Sequence, residues 1–334
     1  MKQPQFVGID VSARHLSIGI EDDCGTTQQL DLPNTPTGHQ QLIKRLRHKG
    51  STARVCLEWT GNYSLDLALA LHHAPNLEVM VVNPKAAHNF AEAFLQRAKT
   101  DAIDARILLE FAKRMPFRAW QPPSSDRLQL RALGRRISAL TQMKTQEKNR
   151  LHSTEFGQDL HQAIRHDVEA HIRHLEHQIQ KLEQAALDLI WDEPQLRKDL
   201  LLLTSIKGIA RTSAIHILSE LCVLPSDMTD RQWVAHAGLD PRHHESGTSV
   251  HKVAHISRIG NRHLRAALYM PALTAVQFDP HIRAYYQTLL QRGKQPMQAL
   301  VAVMRKLLHS IHAMLRDGAD FQGQLFFALE TPDS

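Results

Sequence analysis

The chain has 334 residues, 43% of them hydrophobic and 5% aromatic, with a formal net charge of +6 and an isoelectric point near 9.3. This composition excludes a disordered chain, allows two or three domains, and indicates a polyanionic partner. The cysteines Cys24, Cys56 and Cys222 form no CxxC pair, so we expect no zinc ribbon and a reducing compartment. We find no signal-peptide layout and no apolar run of about 18 residues, and we therefore expect a cytoplasmic protein without a membrane span.

Residues 5 to 115 alternate between short apolar runs and amphipathic stretches. Strands are predicted at 6–10, 16–21, 54–58 and 78–82, and helices at 37–49, 63–73, 85–97 and 102–114. A hairpin followed by strand–helix–strand–helix favours a mixed sheet flanked by helices, which we assign to an α/β domain over residues 1–118. The segment WQPPSS, residues 120–125, predicts a linker.

Two long helices are predicted between residues 126 and 190, because apolar residues step by three and four at Leu130, Leu133, Ile137 and Leu140 and again at Ile172, Leu175, Ile179, Leu182, Ala186 and Leu189. This pattern is compatible with an antiparallel hairpin, an intersubunit coiled coil, or two ordinary bundle helices. We assign residues 119–195 to a helical coiled-coil region. The basic residues Arg131 and Arg135 on the first helix are candidate nucleic-acid contacts, although a basic helix face is usually only solvated.

The remaining residues, 196–334, predict a mainly α domain. Within it, LLLTSIKGIARTSAIHILSEL (201–221) places a tight turn between two apolar helices. The turn resembles a helix-hairpin-helix element, whose amides hold a nucleic-acid phosphate, and Lys207 is then a candidate contact. Ala210 replaces the second glycine of that element, and a plain helix corner is an equal alternative.

Four carboxylates stand at suggestive positions in the first domain. Asp10 and Glu58 each end an apolar strand, and the carboxyl ends of strands face one crevice in open α/β sheets. Asp101 and Asp104 share one face of a predicted first helical turn. Each position also has an ordinary explanation, since an acid often closes a turn or begins a helix. Together, however, they predict a ribonuclease-H-like, RuvC-type site for magnesium or manganese, in which two ions would clamp a phosphodiester.

Several ordered motifs carry a family resemblance over nearly the whole chain. They are GIDVS, LEWTGNY and KTDAIDA, followed by HAGLDPRHHESGTSVHKVAHISRIGNRHLRAAL at 236–268. This set resembles the DEDD transposases of bacterial insertion sequences, in the family numbered one-ten, and the related Piv DNA invertases. One departure is Arg258, where the family often has lysine before the Gly-Asn pair, and the charge is kept.

The resemblance implies a DNA recombinase that cuts and rejoins DNA. Asp10, Glu58, Asp101 and Asp104 match the family's metal-binding carboxylates, and Ser246 matches its nucleophilic serine. A structured guide RNA, the bridge RNA, would pair with donor and target DNA. The serine of one subunit would meet the carboxylates of another, which implies a homodimer or homotetramer, and the protein would be bacterial and nucleoid-associated when active.

Basic residues surround the matched serine. We predict phosphate contacts from Arg242, Lys252, Arg258, Arg262 and Arg265 and expect the last three at helical spacing on one face, with a solvated helix as the alternative. Pro241 and Gly247 indicate a loop position for Ser246, with Ser249 as the alternative nucleophile. Asn261, after Gly260, predicts a helix start, which is itself a phosphate site.

Two other functions fit parts of the sequence. A hydrolytic nuclease of the junction-resolving type would use the four carboxylates and water, and would leave the Ser246 block without a role. A non-enzymatic nucleic-acid-binding scaffold with a decayed site is less compatible with the chain, because all four acids and the serine are present.

Overall fold

In the computed structural model, strands and helices are described for residues 4–22, 25–47, 52–94, 100–153, 162–246, 250–257 and 259–329. The side chains of 62, 242–246 and 250–255 lie outside this description. Contacts divide the chain into a first unit, Met1–Pro122, and a second unit, Pro123–Ser334.

A five-stranded mixed sheet organises the first unit. Its elements are β1 (Gln5–Val11), β2 (His15–Glu21), β3 (Thr27–Pro33), α1 (Pro36–Arg47), β4 (Ala53–Glu58), α2 (Asn62–His72), β5 (Leu77–Val82), α3 (Pro84–Ala93) and α4 (Asp101–Arg114). The strand order is β3-β2-β1-β4-β5, with β1, β2 and β3 antiparallel and β1, β4 and β5 parallel. This topology confirms the predicted mixed sheet flanked by helices.

The strand β3 was not predicted. Only Leu30 and Leu32 of this edge strand are partly buried against the core, and its other side chains are largely polar. An apolar-run criterion therefore misses it, although Ser17 on β2 donates a hydrogen bond to Asp31 on β3 at 2.7 Å.

The two faces of β1 pack against different helices. Val7 and Ile9 face a core that includes Leu42 of α1 and Leu67 of α2. On the opposite face, a Cβ built on Gly8 would lie 2.1 Å from the carbonyl oxygen of Ala105 in α4, so only glycine allows this close approach of helix to strand. The sequence of β1 thereby fixes where α4 crosses the sheet.

The second unit is largely helical. Its elements are α5 (Ser125–Ser153), α6 (Gln162–Asp192), α7 (Pro194–Thr204), α8 (Arg211–Leu221), α9 (Asp230–Ala237), β6 (Pro241–Ser246), β7 (Val250–Ile256), α10 (Arg262–Phe278), α11 (Pro280–Gln291), α12 (Pro296–Asp317) and α13 (Gly323–Phe326). One hydrophobic core runs from the long helices α5 and α6 through α8 and α10 to α12.

The long helices α5 and α6 form an antiparallel pair within one chain. Arg127 near the start of α5 pairs with Glu193 just after α6 at 2.9 Å, whereas Lys148 near the end of α5 pairs with Glu176 at 3.3 Å. These pairs run in opposite sequence directions, as an antiparallel arrangement requires. The intersubunit coiled coil stays a prediction.

The hairpin of β6 and β7 corrects the expectation of a helical region with Ser246 in a loop. The strands pair antiparallel, from Pro241 opposite Ile256 to Ser246 opposite Val250. At the base of the hairpin, the Ser257 amide donates to the Asp240 carbonyl at 2.9 Å and the Ser257 hydroxyl to the Asp240 carboxylate at 2.6 Å. We call residues 241–256 the serine hairpin.

Across the described ranges, none of the helices is both long and apolar enough to cross a membrane.

Candidate active site and nucleic-acid interface

Asp10 and Glu58 lie at adjacent strand ends. β1 and β4 are parallel neighbours, and Ile9 pairs with Leu57, so the next residue of each strand is one of the two acids. Asp10 shares the sheet face of Gly8, because alternate residues of a strand point the same way. That is the face on which α4 packs.

The other two acids occupy the first turn of α4. The Thr100 side chain caps this helix by accepting a hydrogen bond from the Ile103 amide at 3.3 Å. Asp101 and Asp104 follow the cap directly. The positive end of the helix dipole partly offsets the repulsion between these acids.

The other three carboxylates influence the pKa of Asp10 through their charges. Burial, followed by the negative charges of Asp101, Asp104 and Glu58, raises the pKa of Asp10 to about 6, against a small opposing effect of a backbone hydrogen bond at Val11. The three other predicted carboxylates therefore all raise the pKa of Asp10. We call Asp10, Glu58, Asp101 and Asp104 the carboxylate cluster.

The donor set of the cluster fits a hard divalent cation. Carboxylate oxygens are the ligands that magnesium and manganese prefer, and a cation would relieve the repulsion that raises the pKa of Asp10. In the part of the chain that the structure describes, no group of three His, Cys, Asp or Glu side chains is placed close enough to hold a metal ion. The four carboxylates of the cluster thus interact through their charges, but their side chains do not form a preassembled coordination shell.

The matched serine lies in the second unit. Ser246 is the last residue of β6, and 247–249, including the alternative Ser249, are outside the described residues, as is the side chain of Ser246 itself. The structure does fix the base of the serine hairpin through the Asp240–Ser257 contacts.

A buried polar network supports the segment that follows the serine hairpin. Glu220 on α8 is 2% exposed and accepts two hydrogen bonds from Arg135 of α5, at 2.7 and 2.9 Å, and one from Asn261 at 2.7 Å. Burial alone would raise the pKa of Glu220, but the Arg135 and Asn261 hydrogen bonds hold that pKa below its ordinary value. The Arg135–Glu220 pair and the Asn261 side chain therefore connect α5, α8 and the start of α10.

Asn261 starts α10, as predicted. Its side-chain oxygen accepts hydrogen bonds from the backbone amides of His263 at 2.9 Å and Leu264 at 3.1 Å. Its backbone amide donates a hydrogen bond to the His236 carbonyl at 2.6 Å. The preceding Gly260 has φ +122°, and a Cβ there would lie 2.2 Å from the same carbonyl. The Gly-Asn pair of the sequence motif is thus explained by backbone packing and helix capping.

The predicted cationic contacts have different surroundings. Arg135 is engaged by Glu220, and burial lowers the pKa of Arg131. Lys207 and Arg262 are exposed, whereas Arg265 donates to the Ala237 carbonyl at 2.7 Å. The side chains of Arg242 and Lys252 and the whole of Arg258 lie outside the described residues, and α10 begins only at Arg262.

Sequence reasoning missed two residues of interest. Glu220 follows a run of apolar residues in α8, and an acid on a buried helix face is a detectable signal of a paired charge. Tyr269 lies on α10 seven residues after Arg262, a spacing that places both on one helix face.

Comparison with protein families gives two matches. A family model described as a transposase, DEDD_Tnp_IS110, matches residues 7–154, which include the whole carboxylate cluster. A second model, the transposase IS116/IS110/IS902 family, matches residues 200–287, which include Ser246 and the Gly-Asn motif.

Individual proteins extend these matches. The pilin gene-inverting protein of Moraxella bovis is 30% identical over 332 residues, covering 96% of this chain and 98% of that protein. The insertion element IS110 uncharacterized 43.6 kDa protein of Streptomyces coelicolor is 38% identical over 128 residues, covering 37% of this chain and 30% of that protein. Among solved structures, T. thermophilus RuvC in complex with a Holliday junction substrate matches 35% of this chain and 99% of its own, with 14% identity and a TM-score of 0.26.

Proposed function

The chain belongs to the IS110 family of transposases and is related to the pilin gene-inverting proteins, and we propose that it is a metal-dependent DNA recombinase with a serine nucleophile. Cleavage and rejoining of DNA follow from the family. The observation that supports the finer proposal is that Asp10 and Glu58 end adjacent parallel strands, while Asp101 and Asp104 begin the helix α4 that packs on β1, and that the other three acids all raise the pKa of Asp10.

The carboxylate cluster supplies the binding site for two divalent ions, with magnesium as the expected ion and manganese as a substitute. Such ions, when bound, would neutralise the scissile phosphate and stabilise the departing sugar oxygen. The chain contributes the fixed oxygen donors: Asp10 and Glu58 from rigid strands, and Asp101 and Asp104 from a capped helix.

Ser246 attacks the scissile phosphorus through its hydroxyl oxygen. A bond forms between that oxygen and phosphorus, the bond to the departing sugar oxygen breaks, and the serine proton is lost to solvent or a nearby base. The covalent phosphoserine retains the phosphoester bond, so attack by another sugar hydroxyl can reseal a strand without ATP. A serine hydroxyl needs activation at neutral pH, which is why this step depends on the cluster.

We propose that the active site is composite, as the family resemblance implies, with the carboxylate cluster and Ser246 supplied by different subunits. The serine hairpin of one subunit would meet the carboxylates of another in a homodimer or homotetramer. The α5–α6 hairpin is a candidate for assembly through an intersubunit coiled coil. A structured bridge RNA would supply the pairing to donor and target DNA, and the excess of basic residues is compatible with both nucleic acids.

A trapping experiment tests the proposal against its alternatives. Purified protein with co-expressed RNA is mixed with labelled donor and target DNA in magnesium, and products are resolved on denaturing gels. Wild type should form a protein–DNA adduct that Ser246→Ala and Asp10→Asn abolish, while Ser249→Ala, the matched control in the same segment, retains it. Cleavage without an adduct, unchanged in Ser246→Ala, would establish the hydrolytic nuclease instead, and binding without cleavage in manganese would establish the scaffold.

Subunit mixing tests the composite site. Asp10→Asn and Ser246→Ala proteins are each expected to be inactive alone, but their co-assembled mixture should form adducts, because some sites then combine an intact cluster with an intact serine. The double variant Asp10→Asn/Ser246→Ala mixed with either single variant provides the control. A mixture as inactive as its components would contradict a site shared between subunits.

A further inference from the structure

A cavity of about 370 Å³ lies at the base of the serine hairpin, inside the second unit. Its walls come from the start of α10, from α12, and from the residues that flank the hairpin. The lining includes Leu239, Ile256, Arg262, Arg265, Tyr269 and Met304. No residue of the carboxylate cluster contributes to it, so the cavity is a separate feature of the molecule.

The charges around this cavity favour an anion. Its lining among the described residues includes two guanidinium groups and no acidic side chain. Arg265 is held in place by its 2.7 Å hydrogen bond to the Ala237 carbonyl at the end of α9. Arg262 is exposed and lines the cavity, and a guanidinium group presents N–H donors in a geometry that suits a phosphate.

The rest of the lining favours a flat apolar group. Tyr269 is 37% exposed at the cavity, and its ring stacks on no other ring among the described residues. Leu239 and Met304, which also line the cavity, are buried. A nucleobase stacks on aromatic rings whatever its identity, and an adjacent arginine commonly holds its phosphate.

Two other cavities differ in their described lining. A larger one, near α9 and α12, is lined by Arg127 and Arg316 but also by Asp199, Asp227 and Asp230, which repel phosphate. A cavity beside α1 and α2 contains Tyr63, but its charged group is Asp66. Among the described lining residues of these three cavities, two cations and an exposed ring occur without an acid at the base of the serine hairpin.

We propose that this cavity binds one unpaired nucleotide, with its base stacked on Tyr269 and its phosphate on Arg262. The inference rests on the proposed recombinase function, since it gives the cavity a role in holding a strand near the nucleophile. Ser246 lies five residues along β6 from Pro241, or about 17 Å at the rise of a strand.

Fluorescence of 2-aminopurine measures the proposed stacking. Single-stranded DNA carrying one 2-aminopurine is titrated with the full-length protein, and stacking on Tyr269 should quench its emission. Tyr269→Ala should remove the quench and weaken binding about 5- to 100-fold, whereas Tyr269→Phe should retain both. Met270→Ala is the matched control, because Met270 is 57% exposed on the same helix but does not line the cavity.

Salt dependence measures the proposed phosphate contact. Arg262→Gln should lower the slope of log affinity against log salt by about 1, since one phosphate contact is lost. A parallel titration with 2-aminopurine RNA tells which nucleic acid supplies the nucleotide. Thermal unfolding of each variant shows whether it is folded. If Tyr269→Ala misfolds, Tyr269→Phe still tests the proposal, because loss of the 2-aminopurine quench in a folded Tyr269→Phe protein would contradict ring stacking.

The outcomes separate this inference from the proposed function. Equal quenching and affinity in wild type, Tyr269→Ala and Met270→Ala, for both DNA and RNA, would overturn the nucleotide cavity even if wild type still forms the serine adduct. Tyr269-dependent quenching without any adduct from wild type would support the cavity and contradict the proposed recombination chemistry.

Discussion

Replacing Asp10 by asparagine should stabilise the metal-free protein while removing its activity. The Asp10 carboxyl is partly buried and faces three further carboxylates, which together raise its pKa from 3.8 to about 6. An acid with a raised pKa in the folded state stabilises the fold below its unfolded pKa, and that contribution is lost as the pH rises through about 6. At pH 8 the folded protein therefore bears an unfavourable charge that asparagine does not carry.

The size of the effect follows from the pKa difference. A shift of about 2 pKa units corresponds to about 3 kcal/mol at most, at about 1.4 kcal/mol per unit. Solvent screens part of this interaction because Asp10 is only partly buried, so we expect about 1–2 kcal/mol. That corresponds to a rise in melting temperature of roughly 3–8 °C for the transition that includes the first unit.

Differential scanning calorimetry with a chelator present, at pH 8 and pH 4, measures this difference. Asp10→Asn should melt higher than wild type at pH 8 and at nearly the same temperature at pH 4, while millimolar magnesium should raise the melting temperature of wild type alone. Asp66→Asn, an exposed acid of α2, should change stability by less than about 0.5 kcal/mol. An equal or lower melting temperature for Asp10→Asn at pH 8 would refute the convergence of carboxylates on Asp10.

Two further substitutions test the packing behind the site. Gly8→Ala should lower the free energy of urea unfolding by about 2–4 kcal/mol, because its Cβ would meet the backbone of α4 at 2.1 Å. The control Gly19→Ala, whose nearest contact is a Thr27 methyl at 3.4 Å, should lower it by less than about 1 kcal/mol. Equal losses would contradict the close approach of helix to strand. Arg135→Ala should lower the free energy of unfolding by about 3 kcal/mol, because it leaves the buried Glu220 without its charged partner. Arg114→Ala, in the exposed pair with Glu110, should lower it by less than about 1 kcal/mol. A similarly small loss for Arg135→Ala would contradict the buried network.

The fold of the first unit was largely predictable because its buried strands are continuous apolar runs. The parallel pairing of β1 and β4 then follows from the intervening helix, and it places Asp10 beside Glu58. The edge strand β3 was missed, since a half-solvated strand with two partly buried leucines gives a weak signal. Its pairing depends on contacts with β2 that no local pattern records.

The serine hairpin was missed for a different reason. Its sequence, from Pro241 to Ile256, is rich in histidine and polar residues and lacks an apolar alternation, so local propensity did not distinguish it from a loop. The start of α10 was predictable, because an asparagine after a glycine is a strong local cap signal. The link from Asn261 to Glu220 was not, since it joins residues 41 positions apart.

Mapping the covalent bond tests the account most directly. Trapped adduct is digested with nuclease and trypsin, and the peptide 243–252, HHESGTSVHK, which follows Arg242 and ends at Lys252, is fragmented by mass spectrometry. We expect a nucleotide phosphate on Ser246 in wild type and none in Asp10→Asn. A nucleotide on Ser249 instead, or cleaved DNA with this peptide unmodified, would contradict the assignment of Ser246 as the nucleophile.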